Sequence, residues 1–164
     1  MRTKSAAFAL ALTVLAASAA SAAQPTRVQQ FEAWGVYSYT NNGQKSCYAL
    51  SVPTTSAPAS VNHGDNFFLI SPQGQNFMPQ AIMGYALKAG SDVEVAVGDA
   101  QFDFVPRDNT AWVREQGREP ALVNAMRGGS SMTVKAVSGR GTATSYSYSL
   151  SGVTAALQEV RKCR

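Results

Sequence analysis

Val93-Glu-Val-Ala-Val97, then Gly98-Asp99, then Ala100-Gln-Phe-Asp-Phe104 is the stretch that decides the fold class. Val93, Val95 and Val97 alternate with Asp92, Glu94 and Ala96, and Phe102 and Phe104 alternate with Gln101 and Asp103. A period of two puts one face of each run in a core and the other in water. Two such runs separated by two turn residues form a β-hairpin. Apolar alternation recurs on both sides of this hairpin. Upstream, Trp34-Gly-Val-Tyr-Ser-Tyr39 and Lys45 to Val52 read as strands joined by a turn at Asn41-Asn42-Gly43. Asn66-Phe-Phe-Leu-Ile-Ser71 is a short buried strand, Pro72 to Gln75 a turn, and Met78 to Leu87 an apolar stretch broken at Gly84. Downstream, Thr110-Ala-Trp-Val113 is a short strand. Met132, Val134 and Ala136 then alternate with Thr133 and Lys135, and a Ser-Gly-Arg-Gly turn at 138–141 leads to Tyr146, Tyr148 and Leu150 between serines.

Two segments break this pattern. Glu119 to Arg127 carries Leu122, Val123 and Met126 at helical spacing ahead of Gly128-Gly129. Gly152 to Lys162 sets Val153, Leu157 and Val160 on one face, with Ser151 as the expected N-cap and Arg161 and Lys162 suiting the C-terminal end of the dipole. The expected fold is therefore mainly β: an antiparallel β-sandwich or half-open barrel with two short helices. Residues 53–65 hold two prolines and no periodicity, so they read as the longest irregular stretch.

The chain has 164 residues, 45% of them hydrophobic and 15% charged, which suits one domain with a sizeable core and excludes a disordered chain. Residues 1–23 stand apart. Arg2 and Lys4 precede an uncharged run from Ala6 to Ala17, and small residues lead to Ala-Ser-Ala at 20–22 and Ser-Ala-Ala at 21–23. That order is a secretory signal peptide with cleavage after Ala22 or Ala23, and its apolar run is shorter than a spanning helix needs. Residues 24–164 are then the mature domain, soluble or peripherally attached to a membrane. Loss of Arg2 and Lys4 leaves 12 basic against 10 acidic residues, so the formal charge falls from +4 to +2 and a nucleic-acid role loses its support.

Cys47 and Cys163 are the two cysteines. In an oxidising compartment such a pair is expected as a structural disulfide, closing a loop on the order of 115 residues and tying the C-terminal helix to an early strand. A redox role would call for a Cys-x-x-Cys spacing that the chain lacks.

No residue pattern specifies catalysis, and no metal or cofactor is expected. One histidine excludes a multi-histidine metal site and two cysteines exclude a four-cysteine zinc site. His63, within Asn62-His63-Gly64-Asp65, suggests a dyad with Asp65, but no G-x-S-x-G or activated Cys accompanies it, and a solvated loop histidine is the simpler reading. Arg140, between Gly139 and Gly141, resembles part of an anion-binding loop but opens no helix. His63, Asp65 and Arg140 are the candidates for a binding loop. Asp92, Glu94, Asp99 and Asp103 read as the wet face of a sheet. Arg107, Arg114, Arg118 and Arg127 interleave with acids as a mixed solvated face. Trp34, Tyr37, Tyr39 and Trp112 read as sheet aromatics, any exposed tyrosine marking a binding face.

An ordered set of segments carries a resemblance. Phe31-Glu-Ala-Trp-Gly, Cys47-Tyr-Ala-Leu-Ser and Met83-Gly-Tyr-Ala-Leu-Lys-Ala-Gly-Ser-Asp come first. Asp108-Asn-Thr-Ala-Trp112, Ala121-Leu-Val-Asn-Ala-Met-Arg, Val134-Lys-Ala-Val-Ser-Gly-Arg-Gly-Thr and Tyr148-Ser-Leu-Ser-Gly-Val-Thr-Ala-Ala-Leu follow. Together they resemble the invasion-associated locus B family of exported bacterial proteins. The resemblance implies the envelope of a Gram-negative bacterium (periplasm or outer surface), a β-sandwich-like fold and no established catalytic residues to transfer. Some relatives have a further Cys shortly after the N-terminal Trp; Val36-Tyr-Ser-Tyr-Thr has none, so Cys47 is expected to pair with Cys163. The function expected on these grounds is non-enzymatic binding of another macromolecule, a protein or envelope component, with a role in host-cell interaction implied by the resemblance alone. A small-ligand binder or hydrolase built on the 53–65 loop is the first alternative. A structural or chaperone-like envelope protein is the second.

Overall fold

The computed structural model describes residues 24–41 and 43–163. The leader expected over 1–23 lies outside them, as does Asn42 of the first turn. The described strands are β1 (Thr26–Phe31), β2 (Trp34–Asn41), β3 (Gln44–Ser51), β4 (Thr55–Ala57), β5 (Phe67–Gln73), β6 (Asn76–Ile82), β7 (Val93–Val97), β8 (Ala100–Arg107), β9 (Thr110–Val113), β10 (Ser131–Val137) and β11 (Ala143–Ser149). Two α-helices, α1 (Glu119–Gly128) and α2 (Val153–Lys162), and a short 3-10 helix at Gln116–Arg118 complete the described chain. The strands form one antiparallel sheet in the order β1-β2-β3-β5-β6-β9-β8-β7-β10-β11-β4. Its ladder does not close, because β1 and β4 are both edges. The expectation of a mainly β, half-open antiparallel architecture with two short helices holds.

The hairpin that anchored the reading is β7–β8, with Val97 opposite Ala100 across the Gly98-Asp99 turn and Gly98 at φ 56°. Val93, Val95, Val97, Phe102 and Phe104 all face the core. One apolar cluster fills the inner face, with Trp34, Phe68, Tyr146 and Tyr148 among its largest members. α1 packs on β6 and β7, α2 on β2, β3 and β5, and both feed the same cluster through Leu122, Met126, Leu157 and Val160. The Cα atoms of Cys47 and Cys163 lie 5.9 Å apart in a disulfide that ties the end of α2 to β3, within the span such a bond requires.

Several local expectations are corrected. β1 escaped the reading because its side chains are almost all exposed and show no alternation; it is an edge strand anchored by its ladder to β2, by Phe31 against the core and by Arg27 over Tyr37. The irregular 53–65 segment contains β4, which adds to the far edge through Ala57–Ser145 and Thr55–Ser147 pairs. Pro72 is no turn residue: β5 runs on to Gln73, with Pro72 opposite Phe77, and the turn shrinks to Gly74-Gln75. Ser151 does not cap α2. The cap is Gly152 at φ 88°, where an added Cβ would overlap the Phe31 carbonyl. That close approach requires a glycine in the left-handed region.

Candidate functional site

The three binding-loop candidates divide. His63 and Arg140 meet across one cleft of 670 Å³, lined also by Val61, Tyr85 and Thr144. Asp65 is exposed and makes no hydrogen bond with His63 among the described residues, so the conceivable His–Asp dyad is not formed. His63 is not a solvated loop histidine either. Its Nδ1 lies 2.8 Å from the Tyr146 hydroxyl and its Nε2 2.9 Å from the Pro58 carbonyl, with the ring edge-on to Tyr146. The carbonyl only accepts, so Nε2 carries a hydrogen. The chain continues from Tyr146 to Tyr85 at 3.1 Å and from Tyr85 to the Thr144 hydroxyl at 2.6 Å. Thr144 in turn donates to the Ala136 carbonyl at 3.2 Å. Burial pushes the Tyr146 phenol well above its ordinary range, so it remains a neutral donor.

Backbone close to the cleft is fixed by a second device. The Asn66 amide donates to the carbonyls of His63 and Gly64, and its side-chain oxygen accepts from Gly84 N–H, all at 3.1 Å. A Cβ on Gly84 would sit 2.6 Å from Gly64 Cα, so these two glycines let loop and linker touch backbone to backbone. Opposite them, Gly141 N–H bonds to the Ser138 carbonyl at 2.7 Å, and Gly139 N–H bonds to the Ala86 carbonyl at 2.8 Å. Arg140 projects from that turn, exposed and without an ion-pair partner among the described residues. The cleft thus has a fixed polar floor and, among the described residues, one cation without an ion-pair partner at its rim. Tyr85, Tyr146, Thr144 and Asn66 were not singled out in the sequence. An Asn beside a His-Gly turn was the one available signal.

The remaining charged candidates scatter. Asp92 pairs with Arg114 and Glu94 with Lys135. Arg118 donates to the Gln101 carbonyl and lies over Phe102, whereas Arg127 lies with Arg161 over Phe77 at the end of α1. Arg114 shares one recess with Arg118 and another with Arg107, amid Asp103 and Glu115, whereas Arg127 lies apart. Among the aromatics, Trp34 is fully buried and Trp112 half-buried on the outer face of the sheet. Tyr37 stacks on Tyr48 with ring centres 5.7 Å apart, Tyr39 leans on the same ring, and Arg27 caps Tyr37.

Fold and site together define a β domain stapled by one disulfide, with a pre-organised cleft whose imidazole is committed to structure. The chain belongs to the invasion associated locus B (IalB) protein family, whose sequence profile matches residues 34–161. It is similar in fold to the crystal structure of invasion associated protein B from Bartonella henselae, with a TM-score of 0.61 and 12% identity over 82% of this chain and 94% of that one. Among curated proteins, none matches the chain. The family is envelope-associated, and among the described residues no helix is long and apolar enough to cross a membrane.

Proposed function

We propose that this chain is an exported envelope protein that acts by holding another macromolecule, and that the cleft between the 58–66 loop and the 138–142 turn is its grip. The carrying observation is the double commitment of His63: with both ring nitrogens bonded to Tyr146 and Pro58, the imidazole shapes the cleft instead of moving protons. A fixed site with one exposed guanidinium favours recognition, because little side-chain freedom remains to be lost on binding. Export is supported by the leader-like residues 1–23 and by the disulfide, a bond typical of oxidising compartments. The mature chain is residues 24–164, one domain, and its fold likeness to an invasion associated protein makes a host surface one setting to test.

The experiment is site-specific photocrosslinking in intact cells, with the crosslinker at Thr142 beside the cleft or at Asp99 on the distant hairpin. A discrete high-mass adduct from position 142 and none from 99 supports the reading; equal labelling from both, or none, refutes it. Protease shaving with a periplasmic marker then tells whether the partner lies outside the cell.

The size of the cleft favours one second reading, a small-ligand site, for which a thermal shift with envelope metabolites is the test. A hydrolase in the same place would need the imidazole released from Tyr146.

A further inference from the structure

We infer that Arg127 and Arg161 form an anion site where α1 and α2 end, and that its ligand is a phosphomonoester group. Each helix carries its arginine in a basic last turn, as the negative end of a helix dipole favours. The two guanidiniums converge on Phe77, near the start of β6. The guanidinium carbon of Arg161 lies 4.8 Å and that of Arg127 5.9 Å from the centre of the Phe77 ring. The same three residues, with Asn76 and Asn124, border a surface cavity of 130 Å³. This cavity lies at the opposite end of β6 from Gly84 and shares no described residue with the His63 cleft.

Shielding Phe77 does not account for the pair. One guanidinium over an aromatic ring is a common contact, whereas two beside the same ring repel each other unless an anion lies between them. Among the described residues neither arginine has an ion-pair partner. The acids on their own helices are committed elsewhere: Glu159 pairs with Lys162, and Glu119 is buried at the far end of α1. No described carboxylate lines the cavity, and Asn76 and Asn124 bring amide donors to it. Asn124 stands three residues before Arg127, on the same face of α1. A guanidinium fork binds an oxyanion through two parallel, charge-assisted bonds. Two such forks match the charge of a phosphomonoester, close to −2 at neutral pH, whereas a carboxylate would offset only one of them. The volume is well below the roughly 300 Å³ at which pockets for whole organic ligands begin. The cavity therefore takes the phosphate group alone, and the molecule that bears it stays outside. A lipid headgroup and a soluble phosphate ester both present that group.

The test is an NMR titration of the mature chain with glycerol phosphate, a soluble phosphomonoester. Saturable shifts confined to Asn76, Asn124 and the two arginine side chains are expected, weakening as the pH falls through about 6, where the phosphate loses its second charge. Arg127→Gln and Arg161→Gln should each raise the half-saturation concentration about tenfold, with unchanged circular dichroism. Arg161→Lys keeps the charge without the fork and should have a smaller effect. Arg107→Gln removes the same charge from the outer face of the sheet and should change nothing. A second arm is flotation with phosphatidylcholine vesicles that carry either phosphatidic acid, a phosphomonoester, or phosphatidylglycerol, a diester, at matched surface charge. Flotation with phosphatidic acid alone, lost in Arg127→Gln, supports the site with a lipid as the source. Glycerol phosphate binding without flotation supports it with a soluble source. The proposal is overturned if neither arm shows binding, or if binding is unchanged in both arginine-to-glutamine variants. Equal flotation with both lipids and no response to glycerol phosphate would mean attraction to surface charge alone and overturn it equally.

Discussion

The indole Nε1 of Trp34 donates to the Ser149 carbonyl at 3.0 Å, across a separation of 115 residues. Trp34 opens β2 near one edge of the sheet, and Ser149 ends β11 near the other. Ala33 N–H adds a bond to the Ser151 carbonyl at 3.2 Å. The half-open barrel is therefore drawn together by the buried Trp34 side chain and the neighbouring Ala33 backbone bond where no strand ladder closes it.

Trp34→Phe should cost about 2–4 kcal/mol, combining the lost ring volume with an orphaned Ser149 carbonyl. Urea denaturation gives the number, and hydrogen exchange should show the end of β11 losing protection first. A change below ~1 kcal/mol would mean that the two edges are held by other contacts.

Replacing both cysteines, Cys47→Ser with Cys163→Ser, removes a cross-link spanning 116 residues. Chain entropy sets the loss at about 4–5 kcal/mol. The denaturation midpoint should fall accordingly while the circular dichroism of the folded protein is kept, because the buried face of α2 still packs on β3. Mass analysis of the unreduced wild type after alkylation should show neither thiol modified.

What the sequence revealed follows from the range of each signal. The β7–β8 hairpin was legible because its alternation and its Gly98-Asp99 turn are local. β1 and β4 were not, since an exposed edge strand has no buried face to impose a period. The candidates His63 and Arg140 were legible as residue types. Their meeting was not, because Tyr146 reaches His63 from 83 residues away and the Gly64–Gly84 contact is one of backbone shape. Ser151 misled because the cap preference ignores tertiary crowding, here by the Phe31 carbonyl. Asn66–Ser71 was read as a short buried strand; within it Phe68 and Ile70 are buried, whereas Phe67 and Leu69 on the other face are half-buried.

Tyr148 is fully buried, and its hydroxyl has no hydrogen-bond partner among the described residues. A buried, unpaired hydroxyl carries a desolvation penalty of about 1–3 kcal/mol. Tyr148→Phe keeps the ring against Phe68 and removes that penalty, so the melting temperature should rise. A fall would reveal a bound water satisfying the hydroxyl.

Glu119, at the start of α1, is buried, and desolvation raises its pKa above the ordinary carboxylate value. The folded state then holds the proton more tightly than the unfolded chain, whose carboxyl titrates near ~4.3. Stability from the protonated form is complete below that value and is lost as the pH rises through the folded-state pKa. Glu119→Gln should therefore melt higher than wild type at neutral pH, and the two curves should converge in acid. A less stable variant at neutral pH would show that the charge's attraction to the helix N-terminus outweighs its burial.

The cleft depends on two backbones touching at Gly64 and Gly84, and Gly84→Ala is its most specific disruption. An added methyl would lie 2.5 Å from Asp65 N and 2.6 Å from Gly64 Cα, contacts that only displacement of the loop relieves. Gly84 N–H would then leave the Asn66 side-chain oxygen, unmaking the bond that ties the loop to the linker. The core lies elsewhere, so global stability should fall by no more than about 1–3 kcal/mol, typical of overpacking. Limited proteolysis should nevertheless cut within 58–66 far faster than in wild type, and crosslinking from position 142 should fail. Asn66→Ala removes the same tie without steric strain and should reproduce both effects more mildly. If either variant keeps the loop protected and the crosslink intact, the glycine contact is packing alone and the grip lies in the Tyr146–Tyr85 network beneath it.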